Sequence, residues 1–164
     1  MHALLMTVLL GIGATAVMDL WGLARKPLLG MARPDYGLAG RWIGYMPQGR
    51  FHHRSISSAA PLRLEKLIGW TAHYVTGIGF AAVLVYFHGL SWLQHPTAGP
   101  ALLVGLGSVA APFLLMQPGM GAGIAASRTP CPACARTQTV ITHAAFAVGL
   151  YAAGWAINLL YALT

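Results

Sequence analysis

The chain has 164 residues, 57% hydrophobic and only 8% charged, with formal net charge +7 and mean hydropathy +0.63. A water-soluble protein this small cannot hide so much apolar surface, whereas lipid solvates it without a large core. Asp19, Asp35 and Glu65 are the whole acidic complement, and there is no paired-carboxylate glycosidase pattern, His-Glu-x-x-His or nucleophile elbow to support a standard hydrolase.

Four apolar stretches predict an all-α, polytopic membrane protein. They run approximately over Leu4–Leu23, Leu67–Leu90, Ala98–Met116 and Thr139–Leu163. Each is long enough, at about 1.5 Å per residue, to cross a hydrocarbon layer of about 30 Å. The whole of 1–164 reads as one transmembrane domain. The first stretch lacks the basic segment of a signal peptide and is interrupted by Asp19, so it is expected to be a retained helix. Within Val17-Met18-Asp19-Leu20-Trp21 a carboxylate facing lipid is costly. Asp19 should face other helices and meet a donor or cation, or take up a proton.

Residues 26–66 form a long first loop that is expected to contain local helices but is too short and too poor in apolar residues for an independent domain. Pro27, Pro34, Pro47 and Pro61 punctuate it, and Leu38, Trp42, Ile43, Tyr45 and Met46 offer an interfacial surface beside Arg41. The adjacent His52 and His53, flanked by Arg50 and Arg54, can bind metal or phosphate or simply sit solvated at the membrane surface. Glu65 is expected to assist the start of the second helix or to pair with a loop cation.

Asp19 lies six residues before Arg25, His73 seven after Lys66 and His143 seven after Arg136. All three can reach a similar depth, roughly one or two helical turns inside the basic boundary. Three readings of this polar layer stay open. The side chains can form a hydrogen-bonded cluster that fixes helix positions. They can instead hold a transition metal such as iron or zinc, with open positions for metal-assisted oxidation or reduction. Or they can carry protons for a small-solute transporter. Small residues support close helix approach: Gly11 and Thr15 share the Asp19 face, Gly69 and Gly77 flank His73, and Thr139 and Ala147 share the His143 face. Short matches between Gly11-Ile12-Gly13-Ala14 and Gly105-Leu106-Gly107-Ser108, and between the His73 and His143 surroundings, suggest a parallel repeat of two hairpins, in which Asp19 aligns with Phe113.

A second loop is expected over 117–138. Pro118 and the glycines of Met116-Gln117-Pro118-Gly119-Met120-Gly121 favour a helix end or tight turn, and Met116 and Met120 carry sulfurs suited to copper or to packing. Cys131-Pro132-Ala133-Cys134 has the spacing of a redox pair or half of a metal site, and inert thiols are the third reading. All ten Lys and Arg fall in the two long loops or at their edges. The positive-inside rule then makes the loops cytoplasmic and both termini periplasmic, and so disfavours a structural disulfide at Cys131 and Cys134. On this reading the charge serves orientation and anionic lipid headgroups, with no nucleic-acid partner expected. A homodimer or a membrane-protein partner would add enclosure that four short helices lack.

Taken together, Gly11-x-Gly-Ala-Thr-Ala-x-Met-Asp-Leu-Trp21, Gly69-Trp-x-Ala-His-Tyr-x-x-Gly77, Met116-Gln-Pro-Gly-Met-Gly121, Pro130-x-Pro132 and Thr142-His143 resemble a bacterial family of four-helix inner-membrane proteins, domain of unknown function number 2938. The similarity covers nearly the whole chain. It implies importance for Asp19, His73, Gln117, Arg136 and His143 and supplies no activity, leaving a metal-binding site, a transporter and a structural membrane subunit as the functional readings.

Overall fold

The computed structural model describes residues 2–31 and 34–162. Arg33, counted among the loop charges, and Leu163, the end of the fourth apolar stretch, lie outside the described residues. Among these residues the regular structure is entirely helical. It comprises α1 (His2–Leu29), α2 (Tyr36–Tyr45), α3 (Glu65–His88), α4 (Ser91–Gln94), α5 (Ala98–Gly107), α6 (Gln117–Met120) and α7 (Pro132–Ala162). Single 3-10 turns occur at Met46–Gln48, Ile56–Ser58 and Ile124–Ala126, and a π-helical turn spans Pro112–Met116. Four segments, Ala3–Leu29, Glu65–His88, Ala98–Met120 and Pro132–Leu160, are long and apolar enough to cross a membrane. This is the all-α, four-span architecture expected from the apolar stretches.

Three helix ends differ from the sequence expectation. Helix α1 continues through Pro27 to Leu29, so the first loop does not begin at residue 26. A proline in the last turn forfeits a single backbone bond where the helix is already finishing. Gly30, at φ 66°, then ends it. The third span does not stop at Met116. Pro112 opens the π-helical turn, in which the Gln117 N–H reaches the Pro112 carbonyl, and helix resumes to Met120. It is Gly121, left-handed at φ 95°, that terminates it. Helix α7 starts at Pro132 rather than Thr139, because proline at the first helical position gives up only an N–H that has no intrahelical partner. The second loop thus narrows from 117–138 to residues 121–131.

Two compact units make up the chain, and neither follows a hairpin. The first draws on residues 1–33, 74–108 and 141–164, the second on 34–73 and 109–140. In the first unit Leu10, Ala14 and Met18 of α1 join Ala81 and Leu84 of α3, Ala101 of α5, and Phe146, Leu150 and Ile157 of α7 in one core, with Trp92 and Leu93 of α4. Small residues permit this approach: a Cβ at Gly77 would strike the Thr15 hydroxyl. In the second unit α2 crosses the start of α3 backbone to backbone. A Cβ at Gly40 would meet the Glu65 carbonyl, and one at Gly69 the Tyr36 carbonyl. The first loop is therefore folded.

Candidate functional site

Asp19 sits on the half-buried side of α1 and accepts a hydrogen bond from the Tyr74 hydroxyl of α3 at 2.9 Å. The phenol gives the Asp19 carboxyl group a hydrogen-bond partner that lipid would not supply. Sequence reasoning singled out the neighbouring His73 and overlooked Tyr74. The available signal was the phenol itself, a donor one residue away on the same apolar helix.

His143 of α7 lies in the same unit as Asp19, and its Nδ1 is 2.6 Å from the Ser108 hydroxyl. That hydroxyl donates to the Gly105 carbonyl at 2.6 Å. A serine hydroxyl has one proton and a carbonyl can only accept, so the bonding assigns His143 as the donor from Nδ1. In that tautomer Nε2 of the neutral ring is the acceptor nitrogen. Ser108, at the local break that follows α5, is the second residue that sequence reasoning missed.

His73 belongs to the second unit. Its ring stacks on Tyr36, with centroids 4.1 Å apart, and Trp70 meets it edge-on at 6.0 Å. In that unit Gln117 donates from Nε2 to Thr139 Oγ1 at 3.3 Å, while its Oε1 is buried without a hydrogen-bonding protein partner. His52 and His53 are placed differently. His52 is exposed, whereas His53 donates its backbone N–H to the Gly119 carbonyl at 2.8 Å and turns its half-buried ring toward Tyr45. Met116 lies in the π-helical turn and Met120 in the last helical position before Gly121, both half-buried. Arg136 donates from Nε to the Ala125 carbonyl at 2.7 Å, holding the left-handed Ala125–Ala126 turn. Among the described residues no group of three or more His, Cys, Asp or Glu side chains is gathered to hold a metal ion.

Cys131 and Cys134 are joined in a disulfide, with Cα atoms 5.3 Å apart. The first turn of α7 brings the two residues together.

The most extensive polar construction is at Arg41. Its Nε and Nη2 donate to the two Glu65 carboxylate oxygens at 2.8 and 2.9 Å, and Nη1 donates to the Ala59 carbonyl at 2.9 Å. Glu65 also accepts the Leu62 N–H at 2.9 Å, satisfying backbone at the start of α3. This fulfils both roles expected of Glu65. The adjacent carboxylate raises the already high pKa of Arg41, so the guanidinium remains charged at ordinary pH. Arg41 is a scaffold for the folded first loop.

No curated protein and no solved structure matches the chain. The model of the family described as "Protein of unknown function (DUF2938)" matches residues 8–157. That range takes in Asp19, Tyr74, Ser108 and His143 together with the Arg41–Glu65 scaffold, and the chain belongs to this family.

Proposed function

We propose that this chain is a multi-pass inner-membrane protein, with cytoplasmic basic loops and periplasmic termini, that couples a small solute to protons carried by Asp19 and His143. The observation that carries this reading is the Asp19–Tyr74 pair. A carboxyl group within an apolar span is costly unless it is partnered or protonated, and such groups characteristically serve proton or solute pathways. The phenol gives Asp19 a hydrogen-bond partner in either protonation state, because a hydroxyl can donate to a carboxylate or accept from a carboxylic acid. His143, anchored through Nδ1, offers a second proton-exchanging group in the same unit.

Infrared difference spectra of the purified protein in lipid nanodiscs test this directly. A carboxylic-acid carbonyl band should appear or vanish between about pH 5 and about pH 9. Asp19→Asn should abolish the band and Tyr74→Phe should move its pH response, while Tyr151→Phe leaves both unchanged. A spectrum without any Asp19 band over that range sinks the proton-coupling reading and makes the pair structural. Near-stoichiometric iron, zinc or copper in the native protein, lost on changing Asp19, His73 and His143, would replace it with a metal centre.

A further inference from the structure

The Cys131–Cys134 disulfide is outside the polar pairs of the spans and has its own chemical setting. Both cysteines are exposed. Cys131 immediately precedes the 31-residue helix α7, and the Cys134 N–H points at the Cys131 sulfur at 3.4 Å. A sulfur held at a helix N-terminus by a backbone donor is stabilised as thiolate, which is the nucleophilic form. Charge nearby in the sequence acts in the same direction, with Arg128 three residues before Cys131 and Arg136 two after Cys134. A bridge between residues separated by only three positions closes a very short loop and constrains little of the unfolded chain, so structural reinforcement is a weak reason for it.

We propose that Cys131 and Cys134 are a thiol–disulfide exchange site for an anionic low-molecular-weight thiol of the glutathione class. In the oxidising direction, the Cys131 thiolate attacks one sulfur of the small disulfide. That S–S bond breaks, a mixed disulfide forms on Cys131, and the first small thiolate leaves and takes a proton. Cys134 then loses its proton and attacks the Cys131 sulfur, expelling the second small thiolate, which is protonated in turn. Two electrons pass from the protein dithiol to the small disulfide, leaving two small thiols. The reverse sequence reduces the protein with two equivalents of thiol. The basic flanks favour an anionic co-reactant, and Cys131 is the attacking residue because the helix terminus stabilises its thiolate. This inference is independent of Asp19 and of the solute reading.

The full-length protein in detergent, equilibrated in graded mixtures of reduced and oxidised glutathione, provides the test, with free thiols counted by maleimide mass shift. The expected result is reversible interconversion of the disulfide and two free thiols across the series. Cys134→Ser should trap glutathione on Cys131, whereas Cys131→Ser should trap it at least about tenfold more slowly on Cys134. Alkylation of Cys131 in Cys134→Ser should have its half-point at least about one pH unit below the ordinary thiol value of about 8.5. A bond that stays oxidised at every glutathione ratio, or a Cys131 no more reactive than Cys134 and with an ordinary pH profile, overturns the proposal. Both substitutions are on exposed side chains, and unchanged helical circular dichroism confirms that each variant is folded.

Discussion

Arg41 shows how one side chain organises a segment whose sequence promises local helices but not how they are held together. Its planar fork matches the Glu65 carboxylate in two parallel bonds and keeps a further donor for the Ala59 carbonyl. Lysine can reproduce the charge but not that geometry. Both Arg41→Lys and Glu65→Gln should therefore loosen the first loop, giving several-fold faster trypsin cleavage after Arg50 and Arg54 with the overall helical signal retained. Cleavage at the native rate in Arg41→Lys would show that charge alone suffices. That Glu65 would find a loop cation was legible from its position beside a basic segment. Which cation was not, because the choice among Arg41, Arg50, Arg54 and Arg63 depends on how α2 crosses α3. Asp19 presents the same division: its need for a partner follows from its apolar neighbours, but Tyr74 rather than another donor follows from helix rotation. Successive helical side chains point about 100° apart, so a one-residue difference changes the partner completely.

At the level of elements, that crossing is set by glycine. The α2 and α3 backbones meet at Gly40 and Gly69 too closely for any side chain, since a Cβ on Gly69 would enter the Tyr36 carbonyl. Gly69→Ala should destabilise the protein by about 1–3 kcal/mol through overpacking against backbone that cannot yield. Gly79→Ala, on the same helix where an added Cβ meets nothing within 4 Å, should be neutral or slightly stabilising through helix propensity. Melting midpoints in one detergent compare the two, and equal midpoints would mean that α2 moves away from α3 at little cost. Sequence had marked Gly69 as a close-packing residue through its spacing from His73, but the surface it meets belongs to the folded first loop. The helix ends were less legible for a related reason. Pro118 signals a break wherever the following residues are unknown, yet it is accommodated at the second position of α6, and the actual stop needs the left-handed backbone that Gly121 adopts.

For the molecule as a whole, the balance between core and surface decides what must cover it. Within the most apolar part of each of the four candidate spans only 17–33% of residues are buried inside the chain, and large side chains such as Leu4, Leu103, Phe87 and Leu160 lie exposed. Water cannot be the solvent of such a surface, so lipid or a partner helix must complete it. If all four candidate spans cross, their even number puts the two termini on one side and the two basic loops on the other. Every Lys and Arg lies in those loops or at the helix ends next to them, while the His88–His95 turn has neither. Anionic headgroups and the membrane potential both favour keeping such charge in the cytoplasm. Alkaline phosphatase fused after Thr164 should therefore be active in bacterial cells, and the same reporter inserted after Gln48 inactive, with a green fluorescent protein fusion giving the opposite pattern. The reverse result would place the loops in the periplasm and require that something other than positive charge sets the orientation. It would also place the Cys131–Cys134 pair in an oxidising compartment, where a cytoplasmic glutathione pool could not be its exchange partner.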